Sequence, residues 1–139
     1  MADKVIIEKG LESISINLHE LKKASDITWQ VYQKDVRSRR FVERTLHVII
    51  EATLDIAHHI ISSEGLREPS TYREAFVVLS ENGIIPESEL NEFEKIAMFR
   101  NLLVHYYEKV DDEIVFGIFK NRLSDFERFI KYILKYLEE

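Results

Sequence analysis

Apolar residues recur along this chain at alternating steps of three and four, the spacing of one face of a helix, rather than in the strict alternation of a half-buried strand. Ile7, Leu11, Ile14, Leu18 and Leu21 fall on one stripe, with Glu8, Glu12, Glu20, Lys22 and Lys23 elsewhere, which predicts an amphipathic helix over 3–23. A second, long helix over 27–63 carries Val42, Leu46, Ile49, Ile50, Thr53, Ile56, Ala57 and Ile60 inward and ends before Gly65, and a loop follows through Pro69. A third, short helix opens at Thr71, whose hydroxyl can cap while Glu74 reaches back in a capping-box pattern, and it stops at Gly83, suited to a left-handed C-terminal cap. The fourth runs from near Pro86 to about Tyr107. After the acidic turn "VDDE" a fifth spans 112–137, with Val115, Phe119, Phe126, Phe129, Ile133 and Leu137 on one side. The expected fold is all-α, a compact bundle of about five helices forming one domain over 1–139, with no internal repeat, linker or low-complexity stretch.

Composition narrows the class. A chain of 139 residues has room for one real core. Without cysteine, neither disulfides nor a thiolate metal site can stabilise it. The start "MADKVIIEKG" lacks the apolar run of a signal peptide, and no segment approaches bilayer-spanning length, so a cytoplasmic protein with no membrane partner is expected. A net charge of −6 argues against a broadly basic nucleic-acid coat, so any RNA contact must be local. The one dense basic run, "KDVRSRRFVER", supplies Lys34, Arg37, Arg39, Arg40 and Arg44; it could track an RNA backbone, or be a solvated helix face paired with local acids.

The candidate chemistry lies in "MFRNLLVHYY", residues 98–107. On the fourth helix Phe93, Ile96, Ala97, Leu103, Val104 and Tyr107 share an apolar face with Arg100 in its middle. A buried guanidinium is costly alone, so Arg100 needs an acidic partner, a wet cleft or another subunit. Met98, Phe99, Leu102 and Tyr106 make a second apolar stripe, more than one monomer core covers, and a helix interface between two copies would bury it near a two-fold axis. His105 lies about 140° around a regular helix from Arg100, so a pairing is permitted and not forced. In one reading His105 answers the helix dipole and Arg100 bridges to Glu94. In the other the pair does phosphodiester chemistry, arginine offering fixed donors to a phosphate and histidine moving a proton near neutral pH without a metal. Glu51, Asp55 and His58 or His59 recur at helical spacing on the second helix; as metal ligands they are too few, and they read better as a polar stripe lining a cleft. His19 and His47 give no site signal.

"RNLLVHYY" resembles the Arg, four residues, His, any residue, Tyr signature of the HEPN superfamily of small helical ribonucleases, in particular its HepT-like toxins. Arg100, His105 and Tyr107 fill the three signature positions, and Asn101 the polar position after the arginine. "RFVERTLHVIIEATLDIAHHII", "TYREAFVVLSENGIIP" and "VDDEIVFGIFKNRLSDFERFI" are similar to that group's long second helix, middle segment and last helix. The resemblance implies a homodimeric, metal-independent endoribonuclease with a composite cleft and no cofactor. It would be the toxin of a type VII-like toxin–antitoxin pair, with His105 as general acid or base, Arg100 neutralising the phosphorane and Asn101 in support. It also implies a minimal-nucleotidyltransferase antitoxin that adds AMP to Tyr107. The alternatives are a non-catalytic HEPN-type module that binds nucleotide or RNA as partner of the nucleotidyltransferase, and a helical metal protein.

Overall fold

The computed structural model describes residues 3–104 and 111–139, and all of its regular elements are helical. In chain order they are α1 (Lys4–Lys23), α2 (Trp29–Lys34), α3 (Val36–Ser63), α4 (Tyr72–Glu81), a 3₁₀ turn at Glu87–Glu89, α5 (Leu90–Val104), α6 (Asp112–Asn121) and α7 (Leu123–Glu138). The long α3 packs against each of the other six helices and is the spine of the bundle. Its inward stripe is the expected one, Val42 through Ile60, and Ile7, Leu11, Ile14, Leu18 and Leu21 of α1 lie buried against it. Packing is closest at Gly10, where a Cβ would stand 2.8 Å from Ile56 Cγ1. The rings of Phe76, Phe93 and Phe129 join α4, α5 and α7 in the same core.

Seven helices among the described residues replace the expected five, because two long apolar patterns are each interrupted once. Asp35 breaks the first. Its backbone is extended (φ −99°, ψ 106°), its N–H closes α2 on Val31 O, and its carboxylate caps α3 by accepting from Arg37 N and Ser38 Oγ. Arg39 reaches back to donate to the carbonyls of Tyr32 and Gln33, satisfying the last turn of α2. The second break is at Arg122 (φ −119°, ψ 6°), whose guanidinium turns to Glu92 on α5 at 2.8 Å. Hydrophobic periodicity carries straight across a one-residue break and cannot reveal it.

The α4 caps form nearly as expected. Thr71 Oγ1 accepts from Glu74 N at 3.0 Å, and Gly83 (φ +72°) lets Ile84 N reach Leu79 O at 3.0 Å. Glu74 does not close a capping box on Thr71, however. Its carboxylate takes the backbone N–H and hydroxyl of Ser70 and an ion pair from Arg67, which also holds Glu81. This clamp ties the α3–α4 loop to the first and last turns of α4.

Candidate active site

Arg100 sits where the inward face of α5 leaves the core. Phe93, Ile96 and Ala97 on that face are buried, whereas the Arg100 side chain retains about a quarter of its exposure, so it occupies the rim of the core and not its middle. The partner is Glu51, not Glu94: Arg100 Nε donates to Glu51 Oε1 at 3.0 Å across the α3–α5 contact, while Glu94 is taken by Arg73 of α4. The Arg100 guanidinium also lies over the ring of Tyr72, with Cζ 4.5 Å from the centroid. Among the described residues its Nη groups have no acceptor. Donors without an acceptor on a partly exposed side chain, beside a satisfied Nε, suit an incoming phosphate oxygen.

Glu51 has a second neighbour. His47, one turn earlier on α3, places Nε2 3.4 Å from the same Oε1. Together with Ser13 of α1, and with Arg44, Val48, Ala52 and Asp55 of α3, His47 and Glu51 line a shallow groove of about 310 Å³. Burial and the neighbouring Glu51 push the Asp55 carboxyl above its ordinary value, opposed by His58. Of the stripe expected to line a cleft, Glu51 and Asp55 do face this groove. His58 does not: its ring packs edge-on against Tyr72, with centroids 5.7 Å apart at 80°, and Nε2 is buried without a partner among the described residues. His59 accepts from the backbone N–H of Asp3 and ties the start of α1 to α3. No group of three or more His, Cys, Asp or Glu among the described residues is placed to hold a metal ion.

The basic run divides. Arg39 is spent on the carbonyls of α2, which removes it from the set that could meet RNA. Lys34, Arg37, Arg40 and Arg44 are exposed, and Arg44 borders the groove beside His47. Asn101 is exposed on α5. His105 and Tyr107 lie outside the described residues, so their expected roles have no geometry here. Sequence reasoning missed two residues at this site. His47 stands four residues before Glu51, a spacing that could have marked it. Tyr72 gave no signal at all, because only the packing of α4 brings it to Arg100.

A HEPN-type helical fold with an arginine anchored at its rim is the class that fold and site define. A family model described as ribonuclease HepT-like matches residues 14–133, and the chain belongs to that family. A relative from Aphanizomenon flos-aquae, tRNA nuclease HepT, is 31% identical over 135 residues, covering 97% of this chain and 92% of that protein. Another, mRNA nuclease HepT of Shewanella oneidensis, is 31% identical over 102 residues, covering 73% and 77%. Among solved structures, the tri-AMPylated Shewanella oneidensis HEPN toxin in complex with MNT antitoxin matches with a TM-score of 0.83 at 28% identity, covering 97% of this chain and 99% of that one. YutE, a cytosolic protein from Bacillus subtilis, matches with a TM-score of 0.85 at 26% identity, covering 99% and 92%. No described helix is long and apolar enough to cross a membrane.

Proposed function

We propose that this chain is the toxin of a toxin–antitoxin pair, an endoribonuclease acting as a homodimer that needs no metal. The observation that carries the site is Arg100, fixed through Nε by Glu51 and over the Tyr72 ring, its side chain about a quarter exposed and its Nη donors without an acceptor among the described residues. In the proposed reaction the ribose 2′-hydroxyl gives up its proton to a base and attacks the adjacent phosphorus. The P–O5′ bond breaks, and the leaving 5′ oxygen takes a proton, leaving a 2′,3′-cyclic phosphate. His105 performs one of the two proton transfers, and Arg100 neutralises the charge that grows on the phosphorane oxygens. Asn101 supports the motif from the exposed side of α5. Arg37, Arg40 and Arg44 track the RNA backbone beside it, as exposed guanidinium groups can do in an otherwise acidic protein.

The antitoxin in this reading is a minimal nucleotidyltransferase, as the complex of the Shewanella toxin with MNT antitoxin suggests. It transfers AMP from ATP to the Tyr107 oxygen, forming a phenolic phosphodiester and releasing pyrophosphate. An added nucleotide brings bulk and negative charge that repel RNA phosphate.

Cleavage of labelled RNA by the purified chain tests the reading. Arg100→Ala and His105→Ala should each lower the rate by about a hundredfold or more with helical content unchanged. Cleavage should persist in EDTA. Activity that vanishes with chelator and returns with added metal would overturn the transesterification mechanism. RNA binding without cleavage would favour a non-catalytic module.

A further inference from the structure

Arg100 is held on two sides by two different helices. Glu51 of α3 takes Nε at 3.0 Å, and Tyr72, the first residue of α4, presents its ring to the guanidinium with Cζ 4.5 Å from the centroid. One hydrogen bond to Nε still allows the group to pivot about its long side chain. A ring under the guanidinium removes that pivot, because the cation is attracted to the π face. The ring is itself braced. Its backbone is set by Thr71, which caps α4, and by the Ser70–Glu74–Arg67 clamp. The His58 ring packs against it at 80°. The Tyr72 hydroxyl makes no hydrogen bond among the described residues, so its visible contacts are through the ring.

We infer that Tyr72 is a positioning residue for the ribonuclease reaction: its aromatic face fixes the Arg100 guanidinium so that the Nη donors meet the scissile phosphate. This rests on the reading of Arg100 as the phosphate-neutralising group. The ring does not touch the substrate in this role, so its loss slows turnover more than it weakens binding. Phenylalanine should serve as well as tyrosine, and an aliphatic side chain should not.

The test combines RNA-cleavage kinetics of the full chain with NMR of its arginine Nε–Hε groups. Tyr72→Phe should keep kcat within about twofold, whereas Tyr72→Leu should lower it about tenfold with KM nearly unchanged, the scale of a partly desolvated cation–π contact. In the Arg100→Ala background Tyr72→Leu should cost nothing further. The ring at position 72 shifts the Arg100 Hε resonance upfield in the wild type and the Phe variant, so the resonance should move downfield in the Leu variant. Should leucine impair folding, Tyr72→Gln takes its place. Two results overturn the positioning role alone: Arg100→Ala abolishing cleavage while Tyr72→Leu does not slow it, or the Phe variant falling as far as the Leu variant. Undiminished cleavage by Arg100→Ala would overturn the reading of Arg100 as the phosphate-neutralising group, and the role of Tyr72 in catalysis with it.

Discussion

Glu51 is the residue on which the site turns, since one oxygen serves Arg100 across the α3–α5 contact and faces His47 one turn away. A hydrogen bond to a charged group is worth about 1.5–3 kcal/mol, so Glu51→Ala should reduce cleavage by roughly ten- to a hundredfold. Glu51→Gln keeps an amide oxygen for Nε and should recover most of it; initial rates on one RNA substrate decide between them. Asp55, one turn further, supplies a pH test. Its folded carboxyl titrates above the ordinary value, through burial first and Glu51 second, so the native state still holds this proton at a pH where the unfolded chain has released it. Stability contributed by this group therefore falls as pH rises through that window. Melting temperatures of Asp55→Asn and wild type should coincide in acid and separate toward neutrality, with the variant higher. The opposite order would show that the charged form is favoured by the fold.

The elements owe their ends and their spacing to a few contacts. Gly10 allows α1 to lie against α3 with Ile56 at 2.8 Å from where a Cβ would stand, and Ile56 is buried with little freedom to move. Gly10→Ala gains helix propensity but overpacks this contact, and a net loss of about 1 kcal/mol is expected in urea denaturation. That loss should vanish in an Ile56→Ala background, which leaves room for the new methyl. At α4 the sign of the pH dependence reverses. The Ser70 hydroxyl, then Arg67, hold the Glu74 carboxyl down to about 2. Its stabilisation is complete above the ordinary glutamate range and is lost as pH falls from there toward about 2. Glu74→Gln should therefore flatten the acid limb of the stability curve between those limits.

For the whole molecule, α5 carries apolar surface that the described core leaves partly uncovered. Met98 is 62% exposed, and Phe99, Leu102 and Leu103 are only partly buried. A two-fold dimer in which α5 meets its counterpart would cover this surface and place the two Arg100 sites near one axis. Light scattering should accordingly give twice the chain mass at micromolar concentration, and Met98→Glu should shift it toward the monomer without unfolding it. Mass spectrometry after incubation with the cognate nucleotidyltransferase, ATP and Mg²⁺ should find AMP-sized additions on the peptide containing Tyr107. Tyr107→Phe should abolish both the additions and the silencing. A Phe variant that is still modified would move the acceptor elsewhere.

The helical class, the inward stripes of α1 and α3, the Thr71 cap and the Gly83 turn were all legible in the sequence, because each depends on residues within one or two turns of one another. Family membership was legible for a related reason: the resemblance was read from the spacing of Arg100, Asn101, His105 and Tyr107 along the chain together with the flanking segments, and the family model matches residues 14–133. The breaks at Asp35 and Arg122 were not, since a single non-helical residue leaves the apolar period intact while tertiary contacts, Arg39 on α2 and Arg122 on Glu92, favour interrupting it. Nor could sequence choose the partner of Arg100. Glu94 lies on the same helix and was the local candidate, but the packing of α5 on α3 brings Glu51 from 49 positions away, and the packing of α4 brings Tyr72. Periodicity says which side of a helix is buried; which charge waits on the other side of the contact is set by how the helices cross.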